Sequence, residues 1–145
     1  MKNINDNLCA RAAALLLALA LALAALPALA DCPLDLGHGT GLVVFSEHFI
    51  IAVRPDPAVI EVGEPIDLIL NVCTKGGDAA ELLAIDARLN DQHVVGRAPT
   101  IVVGDDGRYR AEGLTFDAPG LWEVGFSVRQ GGWSERLSHE LVVKK

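Results

Sequence analysis

The sequence predicts an all-β domain, an antiparallel two-sheet sandwich of about seven or eight short strands, preceded by an N-terminal export signal. Three observations carry this. Apolar and polar residues alternate in short runs, Gly, Pro and Asp clusters separate those runs, and almost no stretch after residue 30 has helical spacing. The length agrees, because residues 31–145 supply the roughly 100 residues that such a sandwich needs.

The chain has 145 residues and is 51% hydrophobic, but one segment inflates that figure. Ala12 to Ala30 contains only Ala, Leu and Pro, after a polar start that holds Lys2 and Arg11. Ala28-Leu29-Ala30 then offers the small-x-small pattern that signal peptidase accepts before Asp31. Residues 1–30 therefore read as a signal peptide and 31–145 as one exported domain, periplasmic or secreted. An uncleaved anchor is the alternative, since the run approaches the ~20 residues that span a bilayer; Pro27 and the cleavage pattern argue against it. In that case the segment alone would touch the membrane. A lipoprotein reading through Cys32 meets Asp31 where a small uncharged residue is wanted.

Export changes the meaning of charge and of cysteine. Residues 1–30 hold Lys2 and Arg11 against Asp6, so the remainder carries 10 basic and 18 acidic residues, a net charge of −8 with His neutral. Nucleic acid is an unsuitable partner for such a surface, because phosphate binding needs a positive footprint. Cys9 leaves with the signal, and Cys32 and Cys73 remain, an even number outside the cytoplasm. They are expected to form one disulfide.

The strands follow in order. Phe49 to Val53 is a candidate stopped by Pro55 and Pro57. Ile66, Leu68, Leu70 and Val72 share one face, with Asp67, Asn71 and Cys73 on the other, so Cys73 is expected to tie the N-terminal segment from outside the core. After a turn at Lys75-Gly76-Gly77-Asp78, Leu83, Ile85, Ala87 and Leu89 alternate with Ala84, Asp86 and Arg88. Asn90 to Pro99 lacks a period and reads as the longest loop. Ile101 to Val103 and Tyr109 to Phe116 flank Gly104-Asp105-Asp106-Gly107, a hairpin signal. Pro119-Gly120 suits the centre of a type II turn, after which Trp122, Val124, Phe126 and Val128 face inward. Gln130-Gly131-Gly132 turns the chain into a last strand with Leu137, His139, Leu141 and Val143 on one side.

Asp105-x-Gly107-x-Tyr109 has the spacing of the tyrosine corner found in immunoglobulin-like sandwiches, where the phenol bonds to nearby backbone. An ordinary hairpin with a half-buried Tyr109 is the alternative. Together with Val59-Ile60-Glu61-Val62-Gly63-Glu64-Pro65, the stretch Asp106 to Phe116 and Pro119-Gly120-Leu121-Trp122-Glu123, this resembles the YtkA-like family of exported immunoglobulin-like domains, related to FixH-type accessory domains. The resemblance covers most of residues 31–145. It implies an immunoglobulin-like sandwich whose loops present His and Met ligands, with copper as the cofactor in several members. Where those motifs are expected, this chain has Asp91-Gln92-His93-Val94-Val95-Gly96-Arg97 and Asp117-Ala118, and no Met beyond Met1. Copper(I) selection relies on soft sulfur donors.

Candidate sites are few. His38, His48 and His93 could contribute imidazoles to a Cu(II) or Zn(II) centre with an acid such as Asp91, and His139 reads as a core histidine on an apolar face. Ser46, Ser127, Ser134 and Ser138 lie in no nucleophile elbow, Asp105-Asp106 reads as turn chemistry, and Gly37-x-Gly39-x-Gly41 precedes no helix that would make it a phosphate cradle. Trp122 is expected in the core and Trp133, after Gly131-Gly132, at the surface as an interface candidate. The sequence thus predicts a non-enzymatic accessory or binding module whose partner is another extracytoplasmic protein, with a copper-handling protein as the alternative.

Overall fold

The computed structural model describes Cys32, Leu34, Leu36 and residues 41–89 and 94–145; residues 1–30, expected to be a signal peptide, lie outside these described residues. The strands are β1 (Leu42–Phe45), β2 (Phe49–Asp56), β3 (Ile66–Thr74), β4 (Glu81–Leu89), β5 (Thr100–Val103), β6 (Tyr109–Leu114), β7 (Gly120–Gln130) and β8 (Trp133–Val143). They form two antiparallel sheets, ordered β1-β2-β3-β6-β5 and β4-β7-β8. Apart from the added edge strand β1, this is the four-on-three order of a constant-type immunoglobulin domain.

Alternation builds the core. Leu68, Leu70 and Val72 of β3 meet Trp122, Val124, Phe126 and Val128 of β7, all at most 1% exposed. Each such side chain contributes roughly 1.5–3 kcal/mol by leaving water. Cys32 and Cys73 stand at disulfide distance with Cα atoms 6.0 Å apart. Cys73 lies on the outer face of β3 as expected, yet is buried, as are Ala52 and Asn71 beside it. The described N-terminal residues cover this outer face, with Leu36 only 7% exposed.

Four local expectations are corrected. Pro55 does not stop β2, which runs on to Asp56. On the β1 side the register ends with Leu42 opposite Val53, so the ladder there needs no N–H from residue 55. In β4, Leu82 rather than Leu83 is buried, because the register shifts between Leu82 and Ala84 and turns Leu83 outward. The bend before β7 falls at Asp117-Ala118, and Gly120 already belongs to β7 opposite Val143. Its φ of 139° also departs from the ~80° of a type II centre. Finally, Asp105-x-Gly107-x-Tyr109 forms no tyrosine corner. It builds the β5–β6 hairpin, with Gly107 at φ 77°, and the Tyr109 hydroxyl donates across the sandwich to the Ala80 carbonyl at 3.2 Å.

Residues 94–99 are less irregular than their sequence. Val95 bridges to Arg88 of β4 and Arg97 to Thr115 beyond β6, so this segment crosses from one sheet to the other. Trp122 is sealed beneath it, its Nε1 donating to the Ala118 carbonyl at 3.0 Å.

Candidate functional site

At one end of the sandwich three turns converge. The β1–β2 turn is closed by backbone bonding between Ser46 and Phe49, with Phe49 N also donating to Ser46 Oγ at 3.1 Å. The β3–β4 turn, Thr74 to Asp78, is joined to it by Lys75 N donating to the His48 carbonyl at 2.8 Å. The third is the Gly131-Gly132 hairpin, in which Gln130 pairs with Trp133. Glu47, His48, Lys75, Asp78, Gln130 and Trp133 are among the residues lining a depression of about 280 Å³ between these turns.

Trp133 and Glu135 continue the inward file of β8 that begins at Val143, but they lie past the last buried residue of that file, Leu137. There they meet the opposite sheet. The rings of His48 and Trp133 stack with centroids 3.9 Å apart and an interplanar angle of 22°. His48 Nδ1 pairs with Glu135 Oε1. The Ser46 hydroxyl, and then His48, hold the Glu135 carboxyl below its usual range. Trp133 nevertheless remains 57% exposed, so a fixed aromatic surface faces solvent.

The structure therefore joins two residues singled out separately by sequence, His48 and Trp133. Sequence reading missed their partners. Glu135 was accessible through the period-2 file that includes Leu137 and His139, whereas the role of Ser46 depends on contact between sheets. His38, His93 and Asp91 lie outside the described residues. Among the described residues, no three His, Cys, Asp or Glu side chains gather to hold a metal ion. His139 is half-buried, lining a small apolar gap between Val53 and Leu68 of one sheet and Val124 and Phe126 of the other. No protein-family model, curated protein or solved structure matches the chain.

Proposed function

We propose that this chain is an exported, non-enzymatic binding module that docks another extracytoplasmic protein through the turn end of its sandwich. The observation that supports it is Trp133, a large ring more than half exposed yet held by stacking on His48. A ring ordered before contact loses less conformational freedom on binding, and tryptophan is enriched among residues that dominate interface energies. Glu47, Lys75 and Asp78 surround it with charges of both signs, a rim suited to a polar protein surface. The signal-like segment and the Cys32–Cys73 pair support export.

The test uses the purified chain as bait in an extracytoplasmic extract, with Trp133→Ala beside Val142→Ser, a change at a remote exposed apolar residue. A partner retained by the parent and by Val142→Ser, and reduced about tenfold or more by Trp133→Ala, is the expected result. Equal recovery with Trp133→Ala removes the assigned surface. Titration with Cu(I), Cu(II) and Zn(II) addresses the copper reading implied by the YtkA-like resemblance; tight stoichiometric binding abolished by His93→Ala would replace the docking reading.

A further inference from the structure

The outer face of the five-stranded sheet holds a second, unrelated feature. Arg54 of β2, Ile69 of β3, Arg110 of β6 and Val102 of β5 stand in register across four strands. Arg108 precedes Arg110 by two residues and so belongs to the same face. These five side chains and Leu36 border a depression of about 340 Å³. Three of the ten basic residues in an otherwise acidic domain thus gather at one place.

Their charges are unevenly matched. Arg110 Nη1 lies 3.1 Å from Asp67 Oδ2, and Arg108 Nη1 lies 3.6 Å from Asp106 Oδ2. Among the described residues Arg54 has no ion pair, and its buried Nε has no hydrogen-bond partner. A buried donor left unpaired weighs against the fold. Ile69, Val102 and Leu36 supply the apolar part of the lining, which Gly104, Asp106 and Tyr109 complete.

From this we infer that the depression binds a small organic carboxylate with an apolar body. A guanidinium matches a carboxylate in two parallel hydrogen bonds, and no acid among the described residues engages Arg54. Ile69, Val102 and Leu36 would cover the hydrocarbon part. Compact anions such as phosphate satisfy the charge but leave the apolar floor wet. This site is separate from the Trp133 surface, so each can fail without the other.

Titration of the oxidised chain with octanoate, acetate and inorganic phosphate, followed by NMR shifts, tests it. Saturable octanoate binding is expected, with acetate and phosphate about tenfold weaker or more. Arg54→Gln should weaken octanoate about tenfold or more, and Arg54→Lys should restore only part, since it returns charge without the fork. Val102→Asp, a change at a residue 43% exposed, offers a second variant that leaves the core intact and places a competing carboxylate opposite Arg110. Absence of saturable octanoate binding, phosphate binding as tight as octanoate, or affinity unchanged in both Arg54→Gln and Val102→Asp overturns the inference.

Discussion

The two outer faces of the sandwich differ in how completely they pair their arginines. On the three-stranded sheet, Arg136 lies flat over Gly125 and reaches Asp86 with Nη2 at 2.7 Å and Glu123 with Nη1 at 3.0 Å. Arg129 meets Glu81 at 2.7 Å and Arg88 approaches Asp86 at 3.7 Å, so each arginine there has an acid within reach. On the five-stranded sheet, Arg108 and Arg110 have acids at 3.6 and 3.1 Å, but Arg54 has none among the described residues, and Leu36, from outside the sheet, walls the face there. Matched charges finish a surface. An unmatched donor beside an added apolar wall leaves one open to a ligand.

The strongest way to break this contrast is to release the wall. Replacing Cys32 and Cys73 together by alanine frees a loop of sequence separation 41, which in the chain-entropy picture lowers stability by about 4 kcal/mol. Urea unfolding of the parent and the double variant measures this. Octanoate affinity should fall in the same variant, since Leu36 is no longer held over the sheet, while the Arg136 contacts stay intact. A stability loss under about 1 kcal/mol would mean that the segment packs independently of its clip.

How far each face was legible in the sequence follows from the range of its contacts. Period-2 alternation placed Leu68, Leu70, Val72, Trp122, Val124, Phe126 and Val128 correctly, because a strand with one dry face must alternate. Alternation is blind to insertions, so the bulge that buries Leu82 in place of Leu83 was missed. Motif spacing misled at Tyr109, where three residues fix a hairpin but not the distant Ala80 carbonyl that the phenol reaches. At the turn end, exposure of Trp133 after Gly131-Gly132 was readable, whereas its stacking on His48 joins residues 85 positions apart. The arginine row was unreadable for the same reason: Arg54 and Arg110 become neighbours only through Ile69 and the order of the strands.

A smaller effect sharpens the contrast from the opposite side. A Cβ at position 125 would lie 2.1 Å from Arg136 Nη2 and 2.3 Å from its Cζ, so Gly125→Ala must push the guanidinium away from Asp86 and Glu123. The side chain is flexible, and the steric term alone is therefore small; what is lost is the ion-pair network. We expect a loss of roughly 0.5–1 kcal/mol at neutral pH. In an Arg136→Met background the same glycine substitution should be neutral or stabilising, since alanine suits a strand better than glycine. A double-mutant cycle reads the coupling directly. Additive effects would show that Gly125 is needed for something other than room for Arg136.

The smallest effect depends on pH. Hydrogen bonding from Arg136 holds the Asp86 carboxyl below the ordinary aspartate value; burial opposes it, and the nearby charges of Arg136 and Arg88 add to it. A carboxyl whose pKa is lower in the folded state binds protons more weakly there than in the unfolded chain. Its contribution is present in full above the ordinary aspartate value and disappears as the pH falls through the lowered one. Asp86→Asn should thus destabilise by about 0.2–1 kcal/mol near pH 7, discounted for side chains about one-third exposed. Near pH 2 the variant and the parent should converge, whereas Arg54→Gln, with no carboxylate partner among the described residues, should show no such convergence from this source. Urea midpoints at both pH values decide it: an equal difference at each would locate the role of Asp86 in packing and not in its charge.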